Sequence, residues 1–272
     1  MEKIIFITGG TSGIGKATAL ELLRTGSRVV IGVRNVASGE AVRDEFRALS
    51  GLDNTDVLVG DLSSLASVRE MANMFRKKYS HLDVLINNAA VYKNTRQLSA
   101  DRFELMFATN HLAPFLLTDL LLDPLKASGR ARVLNITAPS RTKLNFDDLQ
   151  SEKNFNPLNA FGASKMANLL FTFELASRLE GRGVMVNAVH PGLARSHLMR
   201  DANFFVRTMS SLFSGTPEKA ALGILGVALS DQLANQTGKF FSKGDVIQAD
   251  PYAYDRDVQM RLWEISERLV GL

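Results

Sequence analysis

Short runs of apolar and β-branched residues recur along the chain, and each precedes a longer stretch with apolar positions at helical spacing. The runs fall at residues 4–8, 28–33, 56–60, 83–87, 132–136 and 185–190, with helical patterns at 15–25, 36–49, 65–78, 102–122 and 160–180. Strands apolar on both faces, alternating with amphipathic helices, predict a parallel sheet buried between two helical layers. Right-handed crossovers then give a Rossmann-type, doubly wound α/β sheet with helices on both faces, whose ligand sits outside the carboxyl ends of the strands. A further helix is expected at 220–229, a last strand at 238–241 and a closing amphipathic helix at 264–272, for six or seven strands in all. The pattern shows no repeat, low-complexity tract or linker, so residues 1–272 read as a single domain. Residues 194–215 have weaker periodicity and carry Phe204, Phe205, Met209, Leu212 and Phe213. This segment follows the sixth strand, where it serves either as a substrate lid or as an ordinary surface helix.

Composition narrows the chemistry. With 46% hydrophobic and 22% charged residues the chain buries a large core, which excludes intrinsic disorder. The absence of cysteine rules out disulfides, thiolate nucleophiles and thiolate metal sites. The four histidines, His81, His111, His190 and His197, form no pair with the close spacing of a helical metal site, so no metal is expected. A net charge of +4 without a basic run argues against nucleic acid as a partner. No stretch reaches the ~20 apolar residues of a membrane span, and the first strand begins too early for a secretory leader. The expectation is a cytoplasmic protein acting on a small molecule, as monomer or homodimer.

The first strand runs into Thr8-Gly9-Gly10-Thr11-Ser12-Gly13-Ile14-Gly15 and then a helix. Glycines there permit a tight turn and let the backbone approach a pyrophosphate seated on the helix N-terminus. Behind the second strand, where an acidic residue would accept the ribose hydroxyls of NAD, stands Arg34, whose guanidinium suits a 2′-phosphate. NADP(H) is therefore the expected cofactor. Asp61, in Gly60-Asp61-Leu62 behind the third strand, is placed to cap a helix, to accept from the adenine amino group, or both.

Taken with Asn87-Asn88-Ala89-Ala90, Asn110, Lys165 and Pro191-Gly192, these residues resemble the short-chain dehydrogenase/reductase family from Lys3 to about Trp263. The segment Phe146-Asp147-Asp148-Leu149 through Phe173-Glu174-Leu175, with His190-Pro191-Gly192, looks most like its retinol-dehydrogenase-like branch. The resemblance implies an NADP site formed by Gly9, Thr11, Ser12, Gly13, Ile14, Gly15, Arg34, Asp61 and Leu62. Asn88 would line the adenosine side, Lys165 would reach the nicotinamide ribose, and Pro191, Gly192 and Ser196 would meet the nicotinamide.

Family chemistry uses Asn, Ser, Tyr and Lys, the tyrosine exchanging the substrate proton and the lysine four residues later lowering its pKa. Asn110 and Lys165 match. At the tyrosine position the chain has Phe161, which fills the same volume and carries no proton. Family strands end in two serines, the second catalytic, where this chain has Thr137 and Ala138; a slip of register would let Thr137 or Ser140 serve instead. Ala90 replaces a glycine near the cofactor. Two departures at separate positions favour natural divergence over a single engineered inactivation.

Simple carbonyl reduction needs a proton donor, whereas hydride transfer alone needs a bound nicotinamide and an electrophile in line with it. Three functions fit. The first is an atypical NADPH-dependent reductase acting on an iminium or conjugated C=C of a small apolar metabolite in biosynthesis. The second is a redox-neutral isomerase or cyclase, and the third a catalytically silent cofactor-binding protein. Tyr92 is the preferred substitute donor, with Lys93, His190 and His197 as further candidates.

Overall fold

The computed structural model describes residues 2–192 and 215–272. The expected lid, except for Gly215, lies outside the described residues, as do Ser196 and His197. Eight strands form one sheet in the order β3-β2-β1-β4-β5-β6-β7-β8. They are β1 (Ile4–Thr8), β2 (Arg28–Val33), β3 (Thr55–Val59), β4 (Val84–Asn87), β5 (Ala131–Ile136), β6 (Val184–His190), β7 (Lys239–Ser242) and β8 (Asp245–Ile247). Every pairing is parallel except β7 with β8.

Alternate residues of β1 to β7 feed two separate cores. Ile5, Ile7, Val29, Ile31, Ile86, Leu134, Ile136 and Val189 pack with Ala19, Leu22 and Leu23 of α1 (Gly13–Arg24) and Phe46 of α2 (Val36–Ser50). Ile224 and Val227 of α8 (Pro217–Leu229) complete that layer. Phe6, Val30, Leu85, Val133, Val186 and Ala188 point the other way. They meet α3 (Leu65–Lys78), α5 (Ala113–Leu120), α7 (Pro157–Arg178) and α9 (Arg256–Val270). Both layers are buried, which is why the strands read as near-continuous apolar runs.

Local chemistry sets the helix ends. The side chains of Asn35, Ser64, Asn156, Thr216 and Asp255 cap α2, α3, α7, α8 and α9, and Pro157 and Pro217 occupy first-turn positions. The face of α7 carrying Met166, Leu169, Leu170, Phe173 and Leu175, required equally by a core or a dimer contact, is buried within the chain itself. Trp263 of α9 lies over it, with its ring 6.0 Å from Phe171 and 4.8 Å from Phe115.

Three expectations change, the first being the closing helix expected over 264–272, which starts earlier, at Arg256, where Asp255 caps it. The long helix expected over 102–122 is broken. Arg102 has a positive φ of 66°, and helix begins only at α4 (Leu105–Phe107), where Glu104 accepts from the Met106 and Phe107 amides. A π-helical turn, Ala108–Leu112, intervenes before α5, and the chain turns again at Leu121 into α6 (Leu122–Ser128). The eighth strand was not expected: β8 has three residues and pairs back across a turn in which Lys243 and Gly244 both have positive φ. Among the described residues no single helix is long and apolar enough to cross a membrane.

His111, in the π turn, is fully buried with Nε2 2.8 Å from Ser266 Oγ of α9. Burial holds its pKa near 3, well below the 6.5 of a free imidazole. The unfolded chain therefore takes up a proton that the folded chain refuses as pH falls from 6.5 toward 3. This site leaves stability untouched above that window and erodes it within the window, by up to about 1.4 kcal/mol per pH unit. His111→Gln is expected to flatten that slope between pH 7 and 5 in urea unfolding; an unchanged slope would assign acid sensitivity elsewhere.

Candidate functional site

Strand order reverses between β1 and β4, which opens a crevice at their carboxyl ends. Thr8 closes β1, and its Oγ1 accepts from the backbone amides of Asn88 and Ala89, both at 3.1 Å. Asn88 Nδ2 donates back to the carbonyls of Thr8 at 2.9 Å and Gly9 at 3.3 Å. This cross-stitch clamps the glycine loop to the start of the β4 loop.

Gly9 and Gly13 adopt left-handed φ values of 69° and 53°. A Cβ on Gly15 would lie 2.2 Å from the Gly9 carbonyl oxygen and 2.4 Å from Asn88 Nδ2. The loop and helix thus pack backbone to backbone. At the start of α1 the exposed Ser12 makes no capping bond, and the first turn holds no acidic residue. Thr11 and Ile14 flank it, half-buried. Uncapped amides at a helix N-terminus, with nothing negative beside them, suit a pyrophosphate. The residues present therefore fit a dinucleotide.

Arg34 is exposed directly behind β2, with no ion pair among the described residues, and the neighbouring Asn35 holds the start of α2. Asp61 is also exposed. Of its two expected roles, capping is corrected: Ser64 caps α3, while Asp61 Oδ1 accepts from the amide and hydroxyl of Ser63, each at 2.8 Å. Leu62 beside it is half-buried against the core on the α3 side.

The second half of the site lies behind β4, β5 and β6. Asn110 sits in the π turn and is fully buried. Its Oδ1 accepts from the Val91 amide at 2.8 Å, and Nδ2 donates to the Val91 carbonyl and to Ser164 Oγ, both at 3.0 Å. A widened turn of this kind re-aims one residue within a helix, and such turns gather at functional sites. Asn110 thereby ties the β4 loop to α7, which carries Phe161 and Lys165.

Lys165 is buried, with Nζ 3.4 Å from the Ile136 carbonyl and 5.5 Å from the centroid of the Phe161 ring. Burial lowers its pKa to about 8. Tyr92 meets Phe161 edge-on at 5.6 Å between centroids, in an apolar cluster with Met106, Ala160, Val91 and Phe155. Burial raises the Tyr92 pKa. Ala138 follows β5, half-buried. The two hydroxyls that a register slip would have offered are committed to α7. Thr137 Oγ1 donates to the Lys165 carbonyl at 2.9 Å and Ser140 Oγ to the Gly162 carbonyl at 2.8 Å. Pro191 and Gly192 leave β6 half-buried, Gly192 with a φ of 83°.

The structure thus brings Asn110, Phe161, Lys165 and Tyr92 together and sets the glycine loop with Asn88 beside β4. Sequence reasoning missed Thr8 and Ser164, whose hydroxyls hold the two halves in place. Only their adjacency to Gly9 and Lys165 hinted at it. Among the described residues no group of three His, Asp or Glu is placed to hold a metal. A groove of about 560 Å³ at the opposite ends of the strands is lined by mixed charges, including Lys3, His81, Asp83, Arg130 and Asp231, and holds none of these residues.

A family model described as short chain dehydrogenase matches residues 3–204. Bovine retinol dehydrogenase 12 (Bos taurus) is 42% identical over 277 residues, covering 99% of this chain and 87% of its own. Retinol dehydrogenase 13 of Homo sapiens is 39% identical over 281 residues, covering 99% and 85%. Among solved structures, an uncharacterized protein from Mycobacterium paratuberculosis superposes with a TM-score of 0.75 at 31% identity, over 99% of this chain and 93% of that one. The Pseudomonas aeruginosa RhlG/NADP active-site complex does so at 0.72 and 26%, over 88% and 94%.

Proposed function

Since the chain belongs to the short-chain dehydrogenase family of oxidoreductases, in its retinol-dehydrogenase-like branch, we propose that it is an NADP(H)-dependent reductase of an apolar, activated double bond, either an iminium or a conjugated C=C. The observation that carries this reading is the Phe161 ring. It stands between Lys165 Nζ and Tyr92 in an apolar wall, at the position where the resemblance puts a proton donor. The glycine loop, Asn88 and Lys165 support a cofactor site, while the acid and serine positions hold Phe161 and Ala138.

Held by the amides at the start of α1, with Arg34 toward the 2′-phosphate and Lys165 toward the nicotinamide ribose, NADPH would supply a hydride at the carboxyl ends of β4 to β6. The chain's own residues orient the acceptor and exclude water. Phe161 and Ala138 offer carbon to the substrate where an oxygen-binding pair would otherwise stand. An iminium ion needs no proton, and an enone disperses the arriving charge onto a distant oxygen. The relatives are named for retinol, a conjugated apolar alcohol, which agrees with an extended apolar substrate.

Titration with NADPH and NADH, followed by NADPH oxidation with cyclic iminium ions, enones and simple ketones, tests this. Turnover of iminium or enone well above simple ketone is expected; NADPH bound without oxidation by either would sink the redox reading.

Arg34→Asp probes the cofactor choice. Losing a charge-assisted contact worth about 1.5–3 kcal/mol should weaken NADPH about 10- to 100-fold. NADH should bind no worse. Equal losses for both cofactors would remove the phosphate role.

A further inference from the structure

His190 is the last residue of β6, and the pairing Ile136↔Val189 sets it opposite Thr137, immediately before Ala138. Its side-chain direction follows from strand alternation. Val189 and Ile136 face the α1 core, whereas Val186 and Ala188 face the α7 core, so the His190 ring projects on the α7 side. Thr137 projects there too, since its hydroxyl meets the Lys165 carbonyl. The imidazole therefore lies at the strand end where Lys165, Phe161 and Ala138 converge.

Its Nδ1 is buried and has no hydrogen-bond partner among the described residues. A buried polar atom left unpaired in a native fold calls for an explanation, and this one belongs to a residue at the carboxyl end of β6. One cation acts on it, Lys243, from the turn between β7 and β8. Burial lowers the His190 pKa, the Thr137 backbone draws it up, and Lys243 presses it down again.

We infer that His190 is a catalytic residue of this site, whose Nδ1 hydrogen-bonds the carbonyl oxygen of a conjugated enone and protonates it as the enolate forms. The inference deepens the proposed reductase reading and rests on it. When hydride adds to the β-carbon, the C=C electron pair shifts and the C=O pair moves onto oxygen. The Nδ1–H bond then breaks as the O–H bond forms, giving an enol. The enol becomes the saturated ketone in solvent, and His190 regains its proton from water. An enolate spreads its charge and is a weaker base than the alkoxide of a simple ketone, so an imidazole suffices where the phenol is gone.

The test pairs two acceptors that differ in their need for a proton. Cyclohex-2-enone and a cyclic iminium ion are reduced by the natural chain, His190→Gln and Tyr92→Phe from pH 5 to 9, with NADPH affinity and thermal unfolding measured alongside. In the natural chain, enone kcat/KM should fall as pH rises through the His190 titration, and iminium reduction should show no such limb. His190→Gln should lose about 10²- to 10⁴-fold on the enone and abolish its limb, while iminium rate and NADPH affinity stay within about threefold. Equal loss on both acceptors, or loss of NADPH binding, makes His190 structural. Loss in Tyr92→Phe instead makes Tyr92 the donor, and an unaffected enone rate in both variants removes any donor. Each of these overturns the inference, while retained iminium turnover preserves the reductase reading. Failure of the natural chain on both acceptors ends both. A readout independent of turnover is the imidazole NMR signal that His190→Gln removes. In the NADP⁺ complex, cyclohex-2-enone should move its shift and titration midpoint. A signal that stays still while neighbouring resonances respond refutes the hydrogen bond.

Discussion

Phe161→Tyr combined with Ala138→Ser is expected to raise reduction of simple ketones by about 10²- to 10⁴-fold, the range a positioned general acid contributes. The surroundings are ready for the hydroxyls. Lys165 Nζ lies 5.5 Å from the centroid of the ring that would carry the new phenol, on the same face of α7. A cation so near favours phenolate over phenol and draws the tyrosine pKa down toward neutrality, where proton exchange is efficient. Ala138 is half-buried just past β5, and the neighbouring Thr137 and Ser140 hydroxyls do not compete, because they already bind α7 carbonyls. Ala138→Ser alone should change little, since it polarises an oxygen but supplies no proton; Phe161→Tyr alone should give most of the gain. NADPH oxidation with a ketone series, measured beside NADPH affinity, decides it. Silence in the double variant with intact affinity would mean that the acceptor pocket no longer presents a carbonyl to these two positions.

The parts of this protein legible in sequence are those whose causes are local. Continuous apolar runs placed β1 to β6, and helical spacing placed α3, within a residue or two, because burial on both faces of a strand writes itself directly into the pattern. The glycine loop, Asn88, Asn110 and Lys165 could be read because each belongs to a short motif with a steric or electrostatic reason. What escaped depends on partners far along the chain. The π turn reads as plain helix, since its apolar residues keep nearly helical spacing. What accompanies it is the tie of Asn110 to Val91 and Ser164, and of His111 to Ser266 across 155 residues. The three-residue β8 has too few positions for an alternating signal and exists because the Lys243–Gly244 turn folds it onto β7. His190 stood in the sequence as one of several candidate substitute donors, behind Tyr92, with nothing in the pattern to rank it higher. Strand register is what puts it on the α7 face of the sheet, beside Thr137.

Gly15→Ala is expected to abolish measurable NADPH binding, while Gly226→Ala, the same change elsewhere, should raise stability. At Gly226 in α8 a Cβ would meet nothing within 4 Å, and alanine there removes the entropic cost of glycine in a helix, about 0.5–1 kcal/mol. At Gly15 the new carbon would sit 2.2 Å from the Gly9 carbonyl oxygen and 2.4 Å from Asn88 Nδ2. Neither neighbour can yield cheaply. The oxygen belongs to a left-handed backbone turn at φ 69°, and Asn88 is held by the Thr8 and Gly9 carbonyls. Relief requires α1 to move away from the loop, and that separation takes the helix amides from the position where a pyrophosphate would lie. Overpacking of this kind costs about 1–3 kcal/mol in stability, small enough for the fold to survive in most of the molecules. The cofactor site, built from the displaced atoms themselves, loses its geometry entirely. Fluorescence titration with NADPH and urea unfolding of both variants separate the two effects. Native-like NADPH affinity in Gly15→Ala would show that the contact between loop and helix is not what holds the dinucleotide.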